Sequence, residues 1–282
     1  MKNTGGDSSH NIMVDFETWL VNQGKAGSTI RTYTAVLVKF EAWLKSIGKN
    51  LMNTTNDDVQ SYMDYLEAQQ KNPGTIEKYL AAISVYSRFT ENPQLVVDIQ
   101  RKEKADETDL PETLNTKEIK ELLDHIEADG NQRNIVITYL LLHTGIRVSE
   151  LCELNRSDIE LEDGKGKLNV RHDGEIERVI PLSKEAISRL EQYLESTENQ
   201  EDALFLSSVN KRISPRAIQY MLEKYNVNPH KLRHTFCRQL IKKGVDINTV
   251  AKLAGHRDVN VTKRYAVDLK LNLDDAIDQA FS

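Results

Sequence analysis

Apolar residues recur every three or four positions through most of the first hundred residues, and polar residues fill the positions between them. In STIRTYTAVLVKFEAWLKSIG, which begins at Ser28, this spacing links Tyr33, Val36, Phe40 and Leu44. Residues so spaced share one face of an α-helix. The pattern predicts four helices, roughly over 11–23, 28–47, 56–70 and 74–91.

The helical spacing stops over residues 101–114, where RKEKADETDLPETL combines charged residues with a proline. Charge without periodicity is typical of a linker, so this segment is predicted to separate two domains. Helical spacing then returns near 116–128, 131–143, 147–154, 183–195, 215–225, 229–243, 246–254 and 260–267.

A different pattern occupies KLNVRHDGEIERVIPL, where apolar and polar residues alternate on either side of Asp173–Gly174. Alternation around Asp-Gly is the sequence signal of a β-hairpin with a two-residue turn. We therefore predict a mainly α-helical protein whose second domain contains a small antiparallel β-sheet. The predicted organisation is a disordered tail over 1–10, a helical N-terminal domain over 11–100, the linker over 101–114 and a mostly helical C-terminal domain over 115–282.

The composition excludes several classes of protein. Of the 282 residues, 39% are hydrophobic and 28% charged, and no run approaches the roughly 20 apolar residues that a membrane helix needs. The first residues, MKNTGGDSSHN, lack the apolar core of a signal peptide, so we expect a cytoplasmic protein without membrane contact. Cys152 and Cys237 lie far apart and form no CxxC pair, which favours reduced thiols over a disulfide framework or a zinc cage.

The charge of the chain is unevenly distributed. The formal net charge is −6, yet residues 205–265 contain thirteen Lys or Arg against three acids, a balance of +10, so the remainder carries −16. A segment of one sign attracts a polyanion such as nucleic acid, whatever the average charge of the protein. On charge alone, a solvated basic face is an equally good interpretation.

Two stretches of the second domain place cations where helices are predicted to begin. In HTGIRVSEL, Arg147 opens a helix and Glu150 follows one turn later, a pairing that is usually structural. In NPHKLRHTFCRQLIKKG, the first turns carry His230, Arg233 and His234 with almost nothing acidic nearby. A helix N-terminus already attracts anions, so this cluster suits a phosphate. A surface histidine beside an unrelated arginine is the simpler alternative.

Two further candidates lie closer to the end of the chain. In LAGHRD, His256 follows Gly255, a glycine placed to end a helix. In VTKRYAV, Tyr265 comes directly after Lys263 and Arg264. Taken singly, a tyrosine that packs in the core or stacks on a neighbour is the ordinary interpretation.

The candidates gain weight from their order, which is Arg147, His230 and Arg233 as His-x-x-Arg, His256 after a glycine, and Tyr265. With the segments TGIRVSEL, PHKLRHTF and LAGHRDVNVTKRY, this order resembles the motif boxes of the tyrosine recombinases, also called phage integrases. STIRTYTAVLVKFEAWL and KYLAAISVYSRF look like the first and last helices of that family's DNA-clamping, SAM-like N-terminal domain. The resemblance covers most of the chain.

The resemblance implies a site-specific recombinase that cleaves and rejoins DNA through a covalent 3′-phosphotyrosyl intermediate, without metal, ATP or any other cofactor. It implies that Tyr265 is the nucleophile and that Arg147 and Arg233 hold the negative charge that develops on the phosphate oxygens. His230 would add a hydrogen bond and could take the tyrosine proton, and His256 would donate to the same phosphate.

The hairpin departs from the family pattern. Family members usually carry a lysine at its tip, as the acid for the leaving 5′-oxygen, and the ungapped match places Asp173 there. Arg171 is the nearest cation that could take the place of this lysine, but arginine is a poor proton donor because its pKa exceeds about 12. Lys165, Lys167 and His172 remain alternatives for this role.

The resemblance also implies partners. These are double-stranded DNA with inverted-repeat core sites and further copies of the chain, in a tetrameric synapse of two duplexes. Leu271, Leu273, Ile277 and Phe281 recur near helical spacing in the last residues, which predicts a helix that docks into a neighbouring subunit. Folding of this helix onto its own domain is the alternative.

Other functions fit less well. His230 and His234 could ligate zinc as in H-E-x-x-H, but Lys231 stands where the glutamate is needed. A type IB topoisomerase would use the same pocket chemistry, and a DNA-binding regulator would have no use for the complete set of site residues. The chain resembles the compact Xer and Cre forms, including TnpI-like transposon resolvases, rather than lambda-type integrases with an extra N-terminal domain. Whether it integrates or excises DNA, or resolves dimers or transposon cointegrates, stays open.

Overall fold

The computed structural model describes residues 7–101, 111–197 and 201–266 of the chain. Contacts divide the protein into two compact units, residues 1–107 and 108–282. The start of the predicted tail, most of the predicted linker and the predicted helix after Tyr265 lie outside the described residues.

The part of the first unit that the structure describes forms four α-helices, as the periodicity predicts. They are α1 (Asp7–Asn22), α2 (Gly27–Ser46), α3 (Asn56–Ala68) and α4 (Pro73–Phe89). Helix α1 begins inside the stretch that was predicted to be tail. Short 3₁₀ turns follow α2 at Leu51–Asn53 and α4 at Pro93–Val96.

The predicted apolar faces form the core of this unit. Phe16, Phe40, Met63 and Tyr86, one from each helix, are fully buried. The rings of Phe16 and Tyr86 meet edge to face, 5.8 Å apart. Burying a side chain of this size contributes roughly 1.5–3 kcal/mol to folding, so this shared core holds the four helices together.

Among its described residues, the second unit combines eight α-helices with one sheet. The helices are α5 (Thr116–Ala128), α6 (Gln132–Thr144), α7 (Val148–Glu153), α8 (Lys184–Glu195), α9 (Pro215–Glu223), α10 (Pro229–Lys242), α11 (Ile247–Ala254) and α12 (Asn260–Lys263). The strands are β1 (Ile159–Glu162), β2 (Lys165–His172) and β3 (Glu175–Pro181). None of the helices in the described part of the chain is both long and apolar enough to cross a membrane.

The sheet is antiparallel, in the order β1-β2-β3. Leu168 of β2 pairs with Ile159 of β1 and with Ile180 of β3, and its side chain is fully buried. Asp173 and Gly174 have φ values of +49° and +85°, which fits a two-residue hairpin turn at the position that the sequence predicts. Strand β1 is not among the elements predicted from the sequence.

Helix α6 is central to the second unit, because nine of its thirteen residues are buried and it contacts α5, α8 and α10. It ends at Thr144, and its C-cap is Gly145, which has a φ of +62°. A Cβ on Gly145 would lie 2.2 Å from the ring of Phe236, so the close approach of α10 requires glycine here. The next turn of chain leads to Arg147, the N-cap of α7.

Candidate active site

Tyr265 is the residue around which the predicted site residues gather. Its side chain is only 3% exposed and packs in an apolar cluster with Phe236 and Cys237 of α10. Its ring lies 6.4 Å from that of His256 and 5.6 Å from that of His234, measured between centroids. The tyrosine is therefore held between an apolar wall and two imidazoles.

The surroundings of Tyr265 keep its hydroxyl protonated. Burial raises the pKa of Tyr265 to about 12, with a further contribution from Cys237, while Arg233 and Arg264 act in the opposite direction. The hydroxyl is hydrogen-bonded to Nδ1 of His234, 2.6 Å away. Since only the phenolate is a strong nucleophile, this arrangement is a resting state.

Arg147 is held by one carboxylate through both its backbone and its side chain. Its backbone N–H donates to Oε2 of Glu150 at 2.6 Å, and its Nη1 donates to Oε1 at 2.8 Å. Its Nη2 donates to the carbonyl oxygen of Gly255 at 2.5 Å. The side chain stays 42% exposed, so the structural pairing with Glu150 orients a guanidinium that an anion can still reach.

Arg233, from the second turn of α10, is buried. Its Nη1 donates to the backbone carbonyl of Gly145 at the end of α6. Burial lowers the pKa of Arg233, and the nearby charges of Arg147 and Arg178 lower it further. A buried guanidinium that is repelled by two others favours the binding of an anion.

Arg178, on β3, brings a third guanidinium that the sequence analysis missed. Its Nη1 and Nη2 donate to the two carboxylate oxygens of Glu150, at 3.1 and 2.8 Å, and its Nε donates to the carbonyl of Leu253 at 2.9 Å. Its side chain is 9% exposed. The alternation of the strand could have revealed it, because Arg178 shares a face with the buried Ile180.

His256 follows the glycine that ends α11. Gly255 has a φ of +69°, and a Cβ there would lie 2.8 Å from the guanidinium of Arg178. Nδ1 of His256 is hydrogen-bonded to Oγ1 of Thr262 at 2.8 Å, which leaves Nε2 for a ligand. Burial lowers the pKa of His256 to about 4, with Arg233 as the next cause, so the imidazole is neutral at pH 7.

The two histidines of α10 are placed differently. His230 is exposed at the second position of the helix, and its ring lies 6.4 Å from that of His234. His234 is half-buried against Tyr265, and burial lowers its pKa to about 4, together with the charges of His230 and Arg233. The residue in contact with the tyrosine hydroxyl is thus His234, whereas the sequence analysis gives proton transfer to His230.

Arg171, the carried-over hairpin cation, has its described contacts at the base and turn of the hairpin. Its Nε donates to Oδ1 of the buried Asp158 at 2.6 Å, and its Nη1 donates to the carbonyl of Gly174 at 3.0 Å. His172 is exposed, with Nε2 3.6 Å from a carboxylate oxygen of Asp173. The described contacts of Arg171 and His172 are therefore with Asp158 and the hairpin turn, not with the residues around Tyr265.

The assembled cluster is a cationic pocket with one internal carboxylate. Burial would raise the pKa of Glu150, but hydrogen bonds from Arg178 and Arg147 lower it below its usual value. Nη1 of Arg178 also donates to the carboxylate of Glu177 at 2.9 Å, so two carboxylates face three guanidiniums. The cluster keeps a net positive charge and suits a phosphate, which arginine can bind with two parallel hydrogen bonds. Within residues 7–101, 111–197 and 201–266, no three His, Cys, Asp or Glu side chains gather as metal ligands do.

Comparisons with known proteins agree with the motif order. The profile described as Phage integrase family matches residues 112–271, and the one described as Phage integrase, N-terminal SAM-like domain matches residues 14–92. Tyrosine recombinase XerA of Pyrococcus furiosus is 31% identical over 279 residues, which cover 95% of this chain and 93% of the relative. TnP I resolvase of Bacillus thuringiensis is 24% identical over 276 residues, which cover 93% and 97%.

Solved structures share the fold. The crystal structure of XerH site-specific recombinase in its post-cleavage complex with a palindromic difH substrate gives a TM-score of 0.72 at 22% identity. The match covers 88% of this chain and 78% of that one. Motif order, family profiles and fold thus point to the same class of protein.

Proposed function

Because the chain belongs to the phage integrase family of tyrosine recombinases, we propose that the cluster around Tyr265 is its active site. The protein is a site-specific DNA recombinase, which breaks and rejoins DNA strands. The observation that carries the site assignment is the convergence of separate motifs. Arg147 contacts the carbonyl of Gly255, and the ring of the next residue, His256, lies against that of Tyr265. His234 of helix α10 is hydrogen-bonded to the hydroxyl of Tyr265.

In this proposal the scissile phosphate binds between Arg147 and Arg233. Both guanidiniums are held by backbone carbonyls, those of Gly255 and Gly145, and neither needs to change protonation to stabilise charge. Negative charge grows on the non-bridging oxygens as the nucleophile attacks, and fixed donors aimed at those oxygens lower the barrier. His256, neutral and held through Nδ1, donates to the same phosphate through Nε2.

Tyr265 is the proposed nucleophile. Its Oη forms a bond to phosphorus while the bond to the 5′-oxygen breaks, which leaves a 3′-phosphotyrosyl link and a free 5′-hydroxyl. The energy of the broken bond is kept in the protein–DNA link, so a hydroxyl of the partner strand can reverse the step without ATP. The residues of the site supply charge stabilisation and proton transfer without a cofactor.

Double-stranded DNA with inverted-repeat core sites is the proposed substrate. The basic segment 205–265 supplies a field of the right sign, and the structure of the XerH relative holds its palindromic difH substrate. Exchange between two duplexes requires four active sites, so we propose a tetramer with cyclic closure. A DNA substrate of this kind fits the cytoplasmic location that the sequence predicts.

A proton donor for the leaving 5′-oxygen is needed from the hairpin side. Arg171 is engaged with the carboxylate of Asp158, and its guanidinium is a poor acid in any case. Lys165, Lys167 and His172 are all exposed and remain the candidates. Integration, excision, dimer resolution and cointegrate resolution would all use this same pocket chemistry.

Trapping on a nicked target site tests the proposal. A nick placed just downstream of the cleavage position lets a short 5′-hydroxyl fragment diffuse away, so the covalent complex accumulates and survives denaturation in detergent. We expect the wild-type protein to form it and Tyr265→Phe to bind the same DNA without forming it. Tyr220→Phe, which removes a hydroxyl from a 79% exposed tyrosine on α9, is the matched control and should react normally.

A further inference from the structure

The contact between His234 and Tyr265 is not explained by phosphate binding. Nδ1 of His234 lies 2.6 Å from the tyrosine Oη, whereas the five residues carried over from the motif boxes do not include His234. His234 lies one helical turn after His230 and directly after Arg233. The same helix thus presents a guanidinium to the phosphate pocket and an imidazole to the nucleophile.

We propose that His234 accepts the proton of Tyr265 during strand cleavage and returns it during strand joining. This inference rests on the proposed function, because it assumes that Tyr265 is the nucleophile. It makes His234 a catalytic residue, since its ring nitrogen touches the reacting oxygen. His230, which is exposed and one turn away, would then be left to contact the phosphate or the DNA backbone.

The protonation states at rest suit this role. His234 is neutral at pH 7, because burial lowers its pKa to about 4, so its Nδ1 can accept a hydrogen bond from the phenol. Burial keeps Tyr265 protonated, with a pKa raised to about 12. No net transfer occurs in the free protein. The transfer becomes favourable only as the bond from Oη to phosphorus forms, since that bond makes the phenolic proton far more acidic.

Binding of DNA shifts the balance further. The charged and titratable groups that face His234 are His230 and Arg233 on its own helix, Arg264 and Tyr265 on the following segment, and His256 beyond the α11 turn. The guanidiniums of Arg233 and Arg264 oppose a charged imidazole at His234. A bound phosphodiester brings a negative charge among them and therefore favours the imidazolium.

The atoms balance in each direction. In cleavage, Oη of Tyr265 bonds to phosphorus, its proton moves to Nδ1 of His234, and the 5′-oxygen departs as a hydroxyl with a proton from the hairpin donor or from solvent water. In joining, a 5′-hydroxyl attacks phosphorus and loses its proton to that same donor or to water. The imidazolium of His234 then returns its proton to the departing Oη. No oxidant, metal or nucleotide is involved.

The decisive variant is His234→Asn. The asparagine amide can keep a hydrogen bond to the tyrosine near the position of Nδ1, but it cannot take a proton. Cleavage of saturating DNA in a single turnover should fall by roughly 10²–10⁴-fold, the usual range for losing a general base. The wild-type rate should also decrease as pH falls through the pKa of His234 in the complex, and this acid limb should be absent from the variant.

Two comparisons separate proton transfer from a merely structural role. His230→Asn should weaken the reaction but keep the acid limb, because His234 is intact. A substrate with sulfur in place of the bridging 5′-oxygen needs no acid for its leaving group. If a variant is slow because it has lost the acid for the leaving 5′-oxygen, the sulfur substrate should restore its rate of cleavage. The same substrate should leave His234→Asn slow, because that variant lacks the base for the tyrosine proton.

Several results would overturn the proposal. One is a His234→Asn protein that cleaves within about tenfold of wild type and keeps the acid limb, and another is full rescue by the sulfur substrate. If the asparagine variant fails to bind DNA, His234→Gln replaces it and is judged by the same criteria. Adduct formation by Tyr265→Phe would be different, because that result defeats the proposed function itself.

Discussion

The guanidinium of Arg147 donates a hydrogen bond to the carbonyl oxygen of Gly255, with 2.5 Å between Nη2 and O. The two residues are 108 positions apart in the chain, and His256 follows immediately. Gly255 can present its carbonyl in this direction because it adopts a φ of +69°, a conformation that glycine adopts at little cost. The bond thus fixes an arginine and a histidine of the site relative to each other.

Replacing either phosphate-binding arginine should slow the chemical step far more than it weakens binding. For Arg147→Ala and Arg233→Ala we expect a loss of about 3 kcal/mol or more of transition-state stabilisation, which is at least two orders of magnitude in rate. Affinity for the site should change little, because the rest of the basic segment still meets the DNA backbone. Single-turnover cleavage and a gel-shift titration on the same DNA measure the two effects separately.

Arg189→Ala is the control for these variants, because its guanidinium pairs with Glu127 on the surface of the same unit. It should cleave at the wild-type rate. A large loss of affinity combined with normal cleavage of bound DNA would reject the role assigned to Arg147 and Arg233.

Arg178 should be needed for the stability of the catalytic unit as well as for its activity. Arg178→Met keeps most of the side-chain volume but removes both hydrogen bonds to the carboxylate of Glu150, whose side chain is only 14% exposed. Breaking a buried ion pair costs about 3–5 kcal/mol, and urea unfolding measures it. Arg178→Lys should recover only part of the loss, since an ammonium cannot make the bidentate contact. Arg189→Met breaks the half-exposed ion pair with Glu127 and serves as the comparison. If Arg178→Met loses no more free energy of unfolding than Arg189→Met, the structural role of Arg178 is contradicted.

Stability should decrease as pH is lowered from about 6.5 towards 4. His234 and His256 have pKa values lowered to about 4 in the folded protein, while an unfolded histidine has a pKa of about 6.5. Between these values the unfolded chain binds more protons, so acid favours unfolding, and the full stability is present above 6.5. Urea titrations at pH 7, 6 and 5 give the slope. The double variant His234→Asn/His256→Asn should have a shallower slope, and an unchanged slope would exclude these two groups as its cause.

Removing residues 270–282 should separate DNA binding from assembly. The apolar residues of this segment, Leu271, Leu273, Ile277 and Phe281, would be marginal as an isolated helix in water and gain stability only by burial. If they dock into a neighbouring subunit, the truncated protein binds a single site almost normally but forms no synapse of two sites. Gel-shift and pairing assays distinguish the two steps, and normal pairing by the truncated protein would disprove the docking.

The helices could be predicted from the sequence because each buries one face. A buried face requires apolar residues every three or four positions, and that spacing is visible in the sequence. Strand β1 is the element that was missed. Its signal is present but short: Ile159 and Leu161 alternate with glutamates, and the turn Asp163–Gly164 that follows has φ values of +49° and +71°. Four residues are too few for alternation to stand out from chance, so the strand depends on β2 for its existence.

Contacts between distant residues were the part of the site that the sequence could not supply. The order of the motifs indicates which residues belong to the pocket, but not that His234 rather than His230 meets Tyr265. That contact joins residues 31 positions apart, so it depends on how the chain turns back after α11. Arg178 was missed for a similar reason, because its partners Glu150 and Leu253 lie on other elements.

The most direct test of this account is to find which tyrosine carries the DNA. The complex trapped on a nicked target site, formed in buffer that contains EDTA, is digested with nuclease and trypsin, and the peptides are analysed by mass spectrometry. We predict a nucleotide adduct on the peptide that contains Tyr265 and on none of the other nine tyrosines in the chain. An adduct on Tyr220 or Tyr225, or a complex that forms only when divalent metal is supplied, would contradict the account.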